Sequence, residues 1–311
     1  MVRCVWSYAL SRAGILRIKH RPTFVAIEPA DWCMLHCPEC PVGMAPHSER
    51  AHHLFSIGQL DRFLQQNATT LNSIIFHFQG EPLLNKSLPE MVHLAKEYNL
   101  YTMLSTNGQL LNREMAHHLV SAGLDRIVVS IDGLQPSSYN SYRVGGNVEK
   151  ALAALRYLQE EKQEQKAHIV IEVQCLRLRS NKADREMLKR RYKEMGADVL
   201  TLKTAQFYNY ENGHPLMPLE SKDSRYKKDK TGHYTLRKKI GNHCYRLWSG
   251  CVIDAEGNVL PCCFDKGKQY IFGNITQEPL QTIWQSEAAN LYRRQVLHNR
   301  KAIGICCNCT E

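Results

Sequence analysis

Cysteine is the residue type whose number and spacing point to chemistry in this chain. The 311 residues include twelve cysteines, which fall mainly into two groups separated by a long cysteine-poor stretch. The first group is a C-x3-C-x2-C run formed by Cys33, Cys37 and Cys40, and the second contains seven cysteines between residues 244 and 309. Polar and basic residues interrupt residues 1–22, so we expect no secretory signal, a cytoplasmic protein and reduced thiols. Reduced, clustered cysteines predict two metal sites.

The first group offers three thiolates on one short loop. A closed zinc site needs a fourth protein ligand, which His36 or His47 would have to provide. A [4Fe–4S] cluster normally takes four cysteines, so three leave one iron open to bind another molecule. The spacing favours the iron–sulfur cluster, with zinc as the alternative.

Net charge suggests a second line of interpretation. Lys+Arg 40 against Asp+Glu 30 gives +10. Between Lys222 and Lys239 there are eight Lys/Arg and two Asp, which is 8 − 2 = +6. Aromatic residues among these cations, such as Tyr226 and Tyr234, are compatible with base stacking in nucleic-acid binding. A solvated connector is favoured instead, and an acidic or phosphorylated substrate or a peptide leader would use the same charge. We expect no membrane span, because no apolar run is long enough.

The elements that must position these groups alternate between strand and helix. Apolar stretches with helical period, such as Ile57–Leu64, separate six β-rich segments. This alternation is typical of parallel βαβ units, and six of them predict an α/β fold, a partial (β/α)6 TIM-type barrel with its chemistry at the carboxyl ends of the strands. The predicted strands are Phe24–Glu28, Ile74–Phe78, Tyr101–Ser105, Arg126–Ile131, Ile169–Gln174 and Val199–Leu202.

The alternation stops near Ala205, which predicts a division of the chain. We expect an N-terminal helical extension over 1–20, the barrel over 21–206, a basic connector over 207–242 and a cysteine-rich α+β domain over 243–311. The last segment is too small to depend on an apolar core, so metal binding would stabilise it.

The position of the first cysteine group, after strand one of a six-unit β/α chain, resembles the radical S-adenosylmethionine (SAM) superfamily over residues 24 to about 205. The resemblance implies that Cys33, Cys37 and Cys40 hold a [4Fe–4S] cluster whose open iron binds SAM. An electron from the cluster would then cleave SAM to a 5′-deoxyadenosyl radical. Glu39 is a departure, since the family usually has an aromatic residue before the third cysteine.

Further motifs follow the next strands in order. Gln79-Gly80-Glu81-Pro82 resembles the family's Gly-Gly-Glu-Pro motif, which would bind the SAM ammonium group. The Ser105–Gly108 turn resembles the ribose-facing loop, and Ser130 and Arg143 would bind the SAM carboxylate, while Asp132 is open between a binding role and a turn cap. The cofactor-binding residues that the resemblance implies are Gln79, Gly80, Glu81, Pro82, Ser105, Asn107, Ser130 and Arg143.

The C-terminal segment resembles SPASM, the radical SAM auxiliary domain, in its shorter twitch form. The matching features are a cysteine, a hairpin with an Asp-x-x-Gly turn, Pro-Cys-Cys, Gly-Asn-Ile, an Ile-Trp helix and C-x-x-C. Adjacent thiols on a strand point to opposite faces, so the residues alone leave Cys262 or Cys263 and Cys306 or Cys307 open. Zinc is the chemical alternative here too. The resemblance implies one auxiliary [4Fe–4S] cluster with the ligands Cys244, Cys262, Cys306 and Cys309.

A fully ligated second cluster suits electron relay, which predicts a radical SAM oxidoreductase or maturase. The substrate would be sugar-like, aminocyclitol-like or a peptide, and flavodoxin or ferredoxin would donate the electron. The proton needs a base. Sulfatase-maturing relatives have an Asp where this chain has Cys263, which leaves Asp265 as the nearest candidate. The alternatives are a radical SAM enzyme that modifies RNA or a cofactor, and a zinc-stapled binding or scaffold protein.

Overall fold

The predicted alternation of strand and helix is present in the computed structural model, which describes residues 2–16, 18, 20–45 and 52–310. Each of the six predicted strands overlaps an observed one, and the fold class is the α/β class of a partial (β/α)6 barrel. Among the described residues, no helix is long and apolar enough to cross a membrane. The six strands are β1 Phe24–Ile27, β2 Ser73–Phe76, β3 Tyr101–Thr106, β4 Arg126–Ser130, β5 Val170–Arg177 and β6 Val199–Thr204.

The helices begin and end where local sequence favours it. The Ser56 side chain accepts a hydrogen bond from the Gln59 backbone and completes a capping box at the start of α3. Asn147 accepts from two backbone N–H groups at the start of α7. The helices before residue 200 are α1 Val2–Arg12, α2 Pro41–Met44, α3 Ile57–Asn67, α4 Leu88–Glu97, α5 Arg113–Ser121, α6 Pro136–Asn140, α7 Val148–Glu164 and α8 Lys182–Arg191.

The C-terminal segment combines short strands with four helices. Its strands are β9 Gly250–Ile253, β10 Asn258–Leu260 and β11 Gly273–Asn274. Its helices are α9 Tyr245–Ser249, α10 Leu280–Trp284, α11 Glu287–Asn299 and α12 Gly304–Cys307.

Contacts divide the chain into two compact units that differ from the predicted segments. The first unit comprises Met1–Trp32, Ala51–Thr102 and Ile240–Glu311. Its strands lie in the order β11-β10-β9-β1-β2, with β1 parallel to both β2 and β9. The cysteine-rich segment therefore continues the sheet that begins at β1. The predicted boundaries at 206 and 242 stay a prediction.

The second unit comprises Cys33–Arg50 and Met103–Lys239. Its strands are parallel in the order β3-β4-β5-β6, and α5 packs against α7. The buried interior of β4 and β5 consists of β-branched residues that suit a strand covered on both faces, such as Ile127, Val129, Ile171 and Val173.

Residues 207–239 are part of the second unit, although their sequence predicts a connector. Two short strands, β7 Tyr226–Lys228 and β8 Tyr234–Leu236, form an antiparallel hairpin. Tyr226 is buried, its hydroxyl bonds to both backbone groups of Phe207, and its ring stacks on Tyr210 at 4.4 Å. The aromatic ring of Tyr226 is therefore part of the core and is not available for base stacking.

Gly250 allows the close pairing of β9 with β1. A methyl group at this position would lie 2.6 Å from the carbonyl oxygen of Phe24 and 2.6 Å from its ring. We expect Gly250→Ala to destabilise the first unit by about 1–3 kcal/mol and to lower the thermal unfolding midpoint. Gly58→Ala is the matched control, because its methyl group would meet only Arg62 at 3.8 Å. Equal midpoints for the two variants would contradict this account.

Candidate functional site

The first cysteine group lies on a loop at the start of the second unit. The backbone N–H of Cys40 donates to the Cys37 carbonyl at 3.1 Å, which folds the loop back before α2. The Cys37 thiol is buried, while Cys33 and Cys40 are half-buried. His36 is on the same loop, and His47 lies outside the described residues. The eleven cysteines whose side chains the structure describes are free thiols.

Two predicted cofactor residues reach this loop. The amide nitrogen of Asn107 lies 3.5 Å from the Cys33 sulfur, and Nη1 of Arg143 lies 3.9 Å from the Cys37 sulfur. Burial raises the pKa of the Cys37 thiol, and the Arg143 guanidinium counteracts this shift. Ser105 and Ser130 lie near the carboxyl ends of β3 and β4 in the same unit. The structure thus places an amide and a cation beside the thiols.

Asp132, whose role the sequence leaves open, positions Arg143. Its Oδ2 accepts a 2.6 Å hydrogen bond from Arg143 Nε, and its Oδ1 accepts from the backbone N–H of Leu176 at 2.6 Å. Asp132 is fully buried, so both bonds are shielded from water. The only sequence signal is its place two residues after Ser130 at the end of β4.

Glu39, which stands where the family usually has an aromatic residue, is bonded to residues that follow β6. Its Oε2 accepts from the backbone N–H of Tyr208 at 2.8 Å, and its Oε1 lies 3.1 Å from Nε2 of His214. His214 in turn stacks on Phe207. The carboxylate therefore joins the cysteine loop to the segment after β6.

In the first unit, the Gln79–Pro82 turn is fastened to the chain that follows β1. The backbone N–H groups of Gln79 and Gly80 donate to Oε1 of Glu28 at 3.1 and 3.4 Å. A methyl group on Gly80 would lie 2.1 Å from the Ala30 carbonyl oxygen, so this contact requires glycine. Glu81 is buried, and its Oε1 accepts from the Leu83 backbone at 3.2 Å.

Glu28 is a buried carboxyl that the sequence does not single out. Burial raises its pKa to about 7, against the opposing effect of Lys268. Lys268 Nζ lies 3.8 Å from Glu28 Oε2 and bonds to Asp254 Oδ2 at 2.9 Å. A lysine from the C-terminal segment thereby faces the carboxylate that holds the Gln79–Gly80 turn.

Four C-terminal thiols line one small cavity in the first unit. Burial raises the pKa of the thiols of Cys244, Cys262 and Cys306. The protein groups around this cavity include Cys244, Cys262, Cys306, Cys309, Arg246, Tyr292 and Arg300.

The other three cysteines of the second group lie elsewhere among the described residues. Cys251 is buried in β9, where burial raises its pKa to about 12. Cys263 packs against the apolar cluster around Leu260, and Cys307 is exposed. Neither adjacent pair lies on a strand, because Cys262 and Cys263 follow β10 in a turn and Cys306 and Cys307 lie in α12. Packing therefore separates the members of each pair, and strand alternation does not.

The predicted base, Asp265, is buried and hydrogen-bonded to the backbone. Its side chain is fully buried, and its two oxygens accept from the backbone N–H groups of Gln269 and Tyr270 at 2.8 and 2.9 Å. Burial raises its pKa, while these two bonds lower it. Both oxygens therefore hold the loop after Cys263, and its service as a base stays a prediction.

The donor types suit iron–sulfur clusters. Thiolates are the ligands of such clusters, and a loop with three thiols leaves one iron free. A buried thiolate needs nearby positive charge, which an iron cluster provides together with Arg143 in one unit and Arg300 in the other. In the part of the chain that the structure describes, no three His, Cys, Asp or Glu side chains are grouped so that they could hold a metal ion. The agreement of these residues with iron–sulfur clusters rests on the thiol donors and on the cavity that four of them share.

Comparison with known proteins decides the family. Residues 27–172 match the radical SAM superfamily, and residues 244–310 match the iron–sulfur cluster-binding domain SPASM. The chain belongs to the radical SAM superfamily. The predicted assignment to the radical SAM enzymes, the SPASM domain, and the SAM and [4Fe–4S] cofactors are thereby confirmed.

Two relatives come from Methanosarcina barkeri. The chain is 33% identical to Fe-coproporphyrin III synthase over 129 residues. This alignment covers 42% of this chain but only 32% of that protein. It is 22% identical over 314 residues to AdoMet-dependent heme synthase, covering 90% of this chain and 86% of the relative. The chain therefore spans about a third of the first relative and most of the second.

Two solved structures share the fold. BtrN in complex with AdoMet and 2-DOIA aligns with a TM-score of 0.56 at 19% identity over 93% of both chains. Streptococcus suis SuiB bound to precursor peptide SuiA aligns with a TM-score of 0.65 at 14% identity, over 99% of this chain and 74% of SuiB. These alignments confirm the fold class of this radical SAM protein.

The buried Glu28 carboxyl predicts a pH-dependent stability. Its pKa is about 7 in the fold against 4.5 in the unfolded chain. Between pH 4.5 and about pH 7, unfolding therefore releases a proton from Glu28. The contribution of Glu28 to the free energy of unfolding is fully present below pH 4.5, and about 3 kcal/mol of it is lost as the pH rises to about 7. Glu28→Gln removes this dependence, and its thermal midpoint relative to wild type should rise from pH 5 to pH 7 and level off above.

Glu256→Gln is the matched control for this measurement, because Glu256 lies at the same 3.8 Å from Lys268 but is exposed. The Glu256 variant should follow the wild-type profile. A constant difference between Glu28→Gln and wild type across pH 5–8 would contradict the assignment of a raised pKa.

Proposed function

We propose that this protein is a radical SAM oxidoreductase or maturase that carries out a net oxidation of a peptide substrate. When bound, SAM and the two clusters supply a 5′-deoxyadenosyl radical for hydrogen abstraction and an acceptor for the released electron. Cys33, Cys37 and Cys40 would hold the first cluster. Flavodoxin or ferredoxin would donate the electron that starts the reaction. The main support is the convergence of four C-terminal thiols on one cavity.

The residues beside the first thiols would orient SAM. Arg143 would bind the SAM carboxylate as a fixed cation, since Asp132 holds its Nε at 2.6 Å. Asn107 would hydrogen-bond the ribose from its place 3.5 Å from Cys33. In the first unit, Glu28 fixes the Gln79–Gly80 turn, which would bind the SAM ammonium group.

Peptide is the preferred substrate class because SuiB, which shares this fold over nearly the whole chain, was solved with a precursor peptide. A sugar-like or aminocyclitol-like substrate is the alternative to a peptide, since BtrN, which shares this fold, was solved with 2-DOIA. The basic 222–239 segment suits an acidic region of a peptide.

Modification of a cofactor such as a tetrapyrrole is the second candidate function. It is favoured by the alignment with AdoMet-dependent heme synthase, which extends over 90% of this chain. Incubation of the reduced enzyme with SAM and either an iron porphyrin or a synthetic peptide with an acidic segment separates the two candidates by which one is converted.

Substitution of one loop cysteine tests the first cluster. We expect Cys33→Ala to abolish formation of 5′-deoxyadenosine from SAM and a reductant, because the loop then retains only two thiols. Cys307→Ala, which removes an exposed thiol, is the control and should retain wild-type yield. Retained activity in Cys33→Ala would overturn the assignment of this loop.

Iron content tests the second cluster. We expect Cys309→Ala to lower iron from about eight to about four per chain, whereas Cys263→Ala should keep about eight. The measurement is iron and sulfide analysis of protein purified without oxygen, together with its brown absorption. A colourless wild type with stoichiometric zinc would instead support the zinc-stapled binding protein.

A further inference from the structure

Two hydrogen-bond donors from outside the cysteine motifs line the cavity of the four C-terminal thiols. The hydroxyl of Tyr292, on α11, lies 3.5 Å from the sulfur of Cys306. Nη2 of Arg300, in the turn after α11, donates to the sulfur of Cys309 at 3.2 Å. Both side chains are buried. A thiolate carries no proton, so the Tyr292 hydroxyl is the donor once Cys306 is a ligand.

The Arg300 donor is held in place by other contacts. Its Nη1 donates to the backbone carbonyl of His243 at 2.6 Å, and its backbone N–H donates to Oδ1 of Asn242 at 3.1 Å. The first bond holds the guanidinium, and the second anchors the backbone that carries it. The positive charge therefore stays beside the thiols without rearrangement.

The Tyr292 donor is fixed by ring packing. Tyr270 lies against its ring with centroids 4.7 Å apart, and Phe272 lies 5.8 Å away. The hydroxyl is thus directed at Cys306 by the shape of the core. Neither Tyr292 nor Arg300 belongs to a cysteine motif, so spacing in the sequence does not reveal them.

Reduction of a [4Fe–4S] cluster adds one negative charge to the cluster and its sulfur ligands. Hydrogen bonds to the sulfurs and a neighbouring cation stabilise this reduced form more than the oxidised form. Burial strengthens the effect, because little water is present to screen the charge. Donors in these positions therefore raise the reduction potential of the cluster.

We infer that Tyr292 and Arg300 set the reduction potential of the auxiliary cluster high enough to accept an electron from the substrate. This inference rests on the proposed function. In the step concerned, the substrate radical would lose one electron, for which the bound cluster would be the acceptor, and one proton, which a base would take. Tyr292 and Arg300 act as positioning residues, since they would act on the cluster through the sulfurs of Cys306 and Cys309.

The test is a redox titration of the full, cluster-loaded protein followed by electron paramagnetic resonance. The signal that persists in Cys33→Ala identifies the auxiliary cluster. We expect Tyr292→Phe and Arg300→Met each to favour the oxidised form about tenfold at a given potential, a shift of about 59 mV to lower values. Arg300→Lys, which keeps the charge but not the planar fork, should lie between Arg300→Met and wild type.

Tyr270→Phe is the matched control, because it removes a hydroxyl from the ring that packs on Tyr292 and should leave the potential unchanged. If Arg300→Met loses its cluster, Tyr292→Phe decides alone, since it removes a single oxygen. Wild-type potentials in Tyr292→Phe and in any cluster-loaded Arg300 variant would overturn the inference. Absence of the auxiliary signal from wild type would instead overturn the proposed function.

Discussion

The parallel pairing of β1 with β9 is the interaction on which the first unit depends. It joins segments more than two hundred residues apart, with Phe24 opposite Gly250 and Ile27 opposite Ile253. The pairing continues past the strands, because the Glu28 backbone donates to the Ile253 carbonyl at 2.9 Å. Glu28 and Asp254 therefore lie side by side, where Lys268 faces both. The turn that carries Gln79 and Gly80 is thus linked to the SPASM segment through a buried carboxylate.

An arginine lies beside a buried thiol in each of the two cysteine groups. Burial disfavours a thiolate, so each group has an arginine beside it, Arg143 near Cys37 and Arg300 near Cys309. Each arginine is in turn fixed by a separate acceptor, the Asp132 carboxylate in one case and the His243 carbonyl in the other. The cations thereby keep their position whether or not the thiols are charged.

The 207–239 segment shows where sequence patterns mislead. Its lysines and its lack of periodicity predict a solvated connector, yet its aromatic residues supply part of a core. Phe207 and Tyr226 are buried with Leu35 and Tyr142, next to the first cysteine loop. Composition could not reveal this, because the apolar residues of the segment are spaced by turns and not by a regular strand or helix period.

The sequence by itself determined the chemistry, the fold class and the family of this protein. Cys33, Cys37 and Cys40 form a recognisable loop because their spacing is local, and the strands are recognisable because alternation and β-branched content are local too. Tertiary structure decided which thiols share a cavity and which charged groups hold them. Cys262 lines the cavity and Cys263 does not, and Glu28 faces Lys268. The first fact depends on how the turn after β10 packs, and the second on the register of β1 against β9, and neither is local in the sequence.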